Sequence, residues 1–248
     1  MKTTYSEKIS IGPRRLYAEW SGAGTPVIVL DAGGLGAGCW TGAWNTLWNE
    51  LADLALVCRY DRANTGRSDP APLPRTSQEM VEDLRLLLRS AGFQPPYLLV
   101  GHSFGGLNMQ LYARRFPSEV AGLVLVDSVH PDQIERFYTF SQSAGESLLS
   151  ETKDVLKGVD WEASAEQVRT APPLTPMPLV VITRGRETPE APVWNELQAD
   201  LAAQLSDSRQ IIAQKSGHGI QLDEPQVVIA AIQEMVQQRH APGRPIIQ

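Results

Sequence analysis

The chain has 248 residues, of which 42% are hydrophobic and 20% charged, and a formal net charge of −6. That length supports a core needing no disulfide or metal staple, as one large domain or two small ones, and the acidity argues against a general nucleic-acid binder, which presents a basic face. No run of about 18 apolar residues predicts a membrane-spanning helix, and the opening MKTTYSEKIS has no apolar stretch of a secretory signal, so a cytoplasmic location is expected.

In chain order, residues 5–11 and 14–20 are candidates for a leading pair of strands. Residues 26–31 (PVIVLD) form a compact buried strand. A helical pattern covers 41–52, and a strand covers 54–60 (LALVCRY). Residues 76–91 read as an amphipathic helix: Thr76 and Glu79 suit a capping box, and Val81, Leu84, Leu88 and Ala91 share a face. A strand at 96–100 leads into a helix at 105–116, stopped by Pro117. Strands follow at 120–127 and 177–183, then a helix at about 191–205, a weaker strand at 209–215 and a closing helix at 223–238. Near-continuous apolar strands alternating with helices predict an α/β fold with a parallel sheet covered on both faces. The expected core is 1–129 with 177–248. Residues 130–176 break the alternation and carry Phe137, Tyr138, Phe140 and Trp161. They read as a small helical cap over the C-terminal edge of the sheet, where such folds bind ligands, or else as a packing layer.

Gly101-His102-Ser103-Phe104-Gly105 has the form G-x-S-x-G between a strand and a helix. A chain reversing that sharply strains its central residue and leaves the Ser103 hydroxyl exposed above the strand ends. Glycines two residues to either side remove side chains that would clash. The following helix N-terminus favours negative charge beside the serine. An incidental serine in a glycine-rich turn would not need this context.

The segments GHSFGG, RYDRANTGRSD and SGHGIQLDEP resemble, in the same order, three landmarks of the α/β-hydrolase superfamily. The resemblance runs through nearly the whole chain. It implies an eight-stranded, mostly parallel sheet with helices on both faces and a small cap after the sixth strand.

A serine nucleophile needs a base. Of the histidines, His102 lies inside the turn and should point away from the hydroxyl; His130 opens the cap; His240 is in the polar tail. His218 lies between the last strand and last helix, on the Ser103 side of the sheet, in a segment resembling the family's catalytic-histidine loop. The blander role for Asp223 beyond it is capping the final helix. The resemblance places an acid after the seventh strand, but that loop, 183–190, has no Asp; Glu187 is its candidate, beside Thr188 at the expected position. Asp127, ending the sixth strand, is preferred, because a carboxylate ending an apolar strand is costly to bury without a partner. Turn capping is its alternative role.

For the oxyanion, one N–H donor is expected from Phe104 and a second from the loop Asp31-Ala32-Gly33-Gly34-Leu35, at Gly34 or else Leu35. Many relatives carry His-Gly where this chain has Ala32-Gly33. A phosphate loop is a weak rival, since the Lys-Ser/Thr ending is absent. Asp61 and Arg62 are expected to fix their own loop by hydrogen bonds. Cys39 and Cys58 lack zinc-ligand spacing and read as free thiols.

The expected activity is hydrolysis of an ester, lactone, thioester or amide of a small, partly apolar substrate, with no metal and no cofactor. Ser103 argues against dehalogenase or epoxide-hydrolase chemistry, which would use an aspartate nucleophile. Carbon–carbon hydrolysis, acyl transfer and perhydrolysis can use the same triad. A binding protein that keeps the fold without the chemistry is the rival of a different class.

Overall fold

The computed structural model describes residues 2–34, 44–144 and 158–240. Among them one sheet contains β1 (Thr4–Ser10), β2 (Arg15–Ser21), β3 (Val27–Asp31), β4 (Val57–Tyr60), β5 (Tyr97–His102), β6 (Val120–Val126), β7 (Leu179–Arg184) and β8 (Ser208–Ala213). Their spatial order is β1-β2-β4-β3-β5-β6-β7-β8. The β1–β2 and β2–β4 pairs are antiparallel, and the pairs from β4 across to β8 are parallel.

The strand sequences explain the two-sided core. In β3, Val27 and Val29 face one layer while Ile28 and Leu30 face the other. Leu99, Leu123 and Val181 join the first layer; Leu98, Val100, Val124 and Ile182 join the second. Alternation with both faces apolar is what a parallel sheet between helices demands. The helices are α1 (Asn45–Leu54), α2 (Ser77–Ser90), α3 (Phe104–Arg115), α4 (Gln133–Ala144), α5 (Trp161–Thr170), α6 (Ala191–Ala202), α7 (Ile220–Asp223) and α8 (Pro225–His240). The predicted start of α2 is present: the Thr76 N–H donates to Glu79 Oε2 at 2.8 Å.

Two features position a site. The order β4-β3-β5 makes the chain switch direction between β3 and β5, which opens a crevice at their C-terminal ends. Among the described residues, α4 and α5 also pack on the rest of the fold at separate places. Phe137 of α4 packs on Trp194 of α6, ring centroids 6.0 Å apart. Helix α5 lies on α2 and α3; Ser164 Oγ and Gln167 Oε1 accept the Ser77 and Gln78 N–H groups at 2.9 and 2.8 Å. Those donors belong to the first turn of α2, which has no partners of its own.

Candidate active site

Ser103 sits between β5 and α3 with φ 53° and ψ −122°. Among the described residues, the other non-glycines at positive φ are Asn64 and Asp127. Such strain persists where surrounding structure enforces it. A Cβ at Gly101 would lie 2.6 Å from the Gly105 oxygen, and one at Gly105 would lie 2.4 Å from the Asp31 oxygen, so both need glycine. The turn is stitched to the end of β6: the Ser103 N–H donates to the Val126 oxygen at 3.1 Å, and the Ser103 oxygen accepts from the Val129 N–H at 3.0 Å.

Asp127 follows β6 directly and is fully buried, at 0% exposure. Its burial is matched by donors on both oxygens. Oδ1 accepts from the Arg184 backbone N–H at 3.0 Å and from Trp194 Nε1–H at 2.8 Å. Oδ2 accepts from His218 Nδ1–H at 2.7 Å, and Arg184 Nη1 stands 3.5 Å from the same oxygen. The bond to an ionised carboxylate makes Nδ1 the protonated nitrogen of His218 and leaves Nε2 with a lone pair. The His218 side chain remains 45% exposed. Glu187, by contrast, is exposed, beside an open depression that it lines with Arg186 and Asn195.

His102 does more than turn away from the hydroxyl. Its Nε2–H donates to the His218 carbonyl oxygen at 2.9 Å, and the two rings lie 4.7 Å apart. Burial first, and then the His218 ring, push the His102 imidazole down to about 4. A neutral ring thus ties the nucleophile turn to the His218 loop. His130 Nδ1 accepts the Asp132 N–H at 3.0 Å, closing the turn into α4, and burial lowers its basicity too. His240 ends α8.

The loop after β3 abuts the serine. A Cβ at Gly33 would fall 2.9 Å from Ser103 Cβ and 2.8 Å from His102 Nδ1. Gly34 follows at φ 58°, while Leu35 lies outside the described residues. Phe104 opens α3, so its N–H belongs to the unpaired first turn. Arg62 has a second job beside the expected one. Asp61 Oδ2 accepts the Arg67 N–H at 2.8 Å, and the Arg62 carbonyl oxygen accepts the Thr65 N–H at 3.0 Å, so both residues fix the 61–68 loop as expected. The Arg62 side chain reaches back to the β3 loop. Its Nη1 donates to Asp31 Oδ1 at 2.5 Å and to the Ala32 oxygen at 2.7 Å, and its Nη2 donates to the Gly34 oxygen. A buried guanidinium thus anchors the loop after β3.

The His218 loop is braced by two acids, Asp223, which the sequence suggested as a helix cap, and Glu224. Asp223 Oδ2 accepts the Gly217 N–H at 2.9 Å, and Glu224 Oε2 accepts from the Lys215 N–H at 2.7 Å and Ser216 Oγ–H at 2.9 Å. Asp223 therefore ends α7 and holds the loop; it does not cap α8. The aromatic insertion also behaves differently from a lining. Phe137 is buried on Trp194, and Trp161 packs on Phe104 with ring centroids 5.6 Å apart, whereas Tyr138 is exposed.

Comparison with known proteins agrees with this geometry at the level of the fold. Residues 25–145 match the family described as alpha/beta hydrolase fold. The uncharacterized protein YqjL of Bacillus subtilis (strain 168) is 31% identical over 222 residues, covering 86% of this chain and 85% of its own length. A thermophilic esterase from Thermogutta terrifontis superposes with a TM-score of 0.68 at 21% identity, covering 96% of this chain and 100% of its own. The enol-lactonase of Burkholderia xenovorans LB400 gives 0.67 at 17% identity, covering 94% and 100%. The chain belongs to the α/β-hydrolase fold family. At these identities the two solved structures establish a shared fold and no more. Among the described residues, no helix is long and apolar enough to cross a membrane, and no cluster of three His, Cys, Asp or Glu side chains could hold a metal. Cys58 is a free thiol that burial pushes up to about 12; Cys39 lies outside the described residues.

Proposed function

We propose that this protein is a serine hydrolase, acting on an ester, a lactone or a related acyl bond of a small substrate through an acyl-enzyme. The observation that carries it is the 2.7 Å bond from His218 Nδ1–H to the buried Asp127 carboxylate, beside the strained Ser103 turn. It leaves His218 Nε2 free to take a proton.

Ser103 Oγ attacks the acyl carbon as His218 Nε2 takes its proton. The Phe104 and Gly34 N–H groups stabilise the developing oxyanion. Protonated His218 then gives its proton to the leaving group. Water, deprotonated by His218, attacks the acyl-enzyme, and the proton returns to Ser103 Oγ as the acid departs. Asp127 holds the ring and offsets the charge of the imidazolium. The chemistry needs no metal or cofactor, since a side chain supplies the base. Helices α4 and α5 act as a cap over this edge. Because Phe137 and Trp161 are committed to packing, the apolar character of the substrate rests less on them than their sequence suggested.

Esters and lactones are the first classes to test, because a similar fold serves both an esterase and an enol-lactonase. The test is a panel of aryl esters, alkyl esters of graded chain length and lactones, run with wild type and Ser103→Ala. Wild type should turn over at least one class, and S103A should fold normally with turnover reduced to background. Equal turnover by S103A would refute the assignment.

A further inference from the structure

The family's usual acid position follows β7, and in this chain β7 ends on a cation, Arg184. The Arg184 side chain is 11% exposed. Its Nη1 lies 3.5 Å from Asp127 Oδ2, the oxygen that also takes the His218 N–H. Three contacts keep it there: Nη2 donates to Glu190 Oε1 at 2.9 Å, the guanidinium carbon lies 4.5 Å from the centre of the Trp194 ring, and its own backbone N–H binds Asp127 Oδ1. Trp194 in turn holds Oδ1, so the cation cannot leave without disturbing the acid. A salt bridge made only to hold the fold would not need to converge on the oxygen bonded to His218.

We infer that Arg184 is a positioning residue that sets the basicity of His218 by sharing the Asp127 carboxylate with it. The inference rests on the reading of Ser103, His218 and Asp127 as a triad. Part of the negative charge of Asp127 is spent on the guanidinium, so less remains to favour the imidazolium. His218 then stays neutral, and able to accept the Ser103 proton, to lower pH. The other charged or titratable groups around His218 do not substitute for Arg184. His102, from β5, is neutral near pH 7. Asp223 and Arg186 pair at 3.5 Å beside Gly217, and Glu224 is bonded to Lys215 and Ser216. Glu190, at the start of α6, acts through Arg184 itself.

The test is the pH dependence of Ser103 labelling by a fluorophosphonate, in wild type, Arg184→Gln, Arg184→Lys and Glu190→Gln. Labelling rises with pH as His218 loses its proton, so the acid limb reports the base. R184Q removes a cation and should move that limb to higher pH, by about half to one unit. R184K keeps the charge and should stay near wild type, although it loses the planar fork. E190Q leaves Arg184 with Asp127 alone and removes a nearby anion, so its limb should move to lower pH by a smaller amount. A His218 ring titration by NMR should give the same order without depending on activity. An R184Q limb that is unmoved, or moved to lower pH, overturns the inference. If R184Q does not fold, E190Q decides, and an unmoved or raised limb overturns it. Absence of labelling on Ser103 together with the expected His218 titration order would reject the hydrolase reading and leave the charge sharing standing.

Discussion

Two buried Asp–Arg pairs flank Ser103, one on the β3 side and one on the β6 side, and they do different work. Asp31 ends β3 at 1% exposure and gives its oxygens to Arg62 and Asn108, at 2.5 and 3.0 Å. Asp127 follows β6 at 0% exposure and gives its oxygens to Arg184, Trp194 and His218. Both carboxylates end apolar strands and both need partners in the interior. Asp31 meets permanent donors that are themselves buried. Asp127 meets one partner, His218, whose ring reaches solvent, with a side chain 45% exposed. Burial of a carboxylate therefore marks a need for partners; the kind of partner separates a brace from the acid proposed for the triad.

Exchanging each acid for its amide gives the largest expected effects and separates the two pairs. Asp127→Asn should lower kcat by about 10³- to 10⁴-fold, because an amide favours the wrong His218 tautomer. Asp31→Asn should act first on stability, costing about 3–5 kcal/mol in a urea unfolding measurement, since it leaves Arg62 buried without a counter-charge. Its folded fraction should keep the pH profile of wild type. A D31N protein that is fully stable but inactive would erase the contrast.

A smaller effect is expected on the brace itself. Arg62→Lys keeps the charge but cannot serve Asp31, Ala32 and Gly34 at once. It should lower kcat by about 10- to 100-fold with KM little changed, as a displaced oxyanion donor would. An unchanged kcat would show that the β3 loop holds its shape without Arg62.

The smallest effect concerns pH. His102 falls from its ordinary 6.5 to about 4 in the folded chain, and His130 shifts in the same direction. Between these values the unfolded chain binds the proton more tightly, so acid favours unfolding. Stability should be full above about pH 6.5, decline as pH falls toward 4, and take no further loss from His102 below that. Urea midpoints measured across this range should decline more steeply in wild type than in His102→Gln.

Much of the fold was legible because it depends on local periodicity. The two-faced apolar strands and the Thr76–Glu79 cap need only neighbours in sequence, and the strand, helix and turn around Ser103 do too. The edge on which His218 lies was legible because parallel strands deliver their loops to one side of the sheet. Asp127 was favoured on its burial cost, and it is buried with donors from Arg184, Trp194 and His218. Arg184 was not singled out: in the run TRGRE it looks like a solvated loop residue, and its value comes from β6 and β7 being neighbours. Arg62 was assigned to its own loop for the same reason, since its acceptors lie 28 to 31 positions earlier in the chain. Asp223 looked like a helix cap and Glu224 drew no notice, because a chain turning back on its own loop leaves no periodic trace.

The most direct measurement is peptide mapping of the chain after reaction with a fluorophosphonate. Wild type should carry the label on the peptide containing Ser103, at a rate reduced about 10³-fold or more in D127N and unchanged in Glu187→Gln. A label on another residue, or D127N labelled as fast as wild type, would contradict the assignment of Ser103, His218 and Asp127.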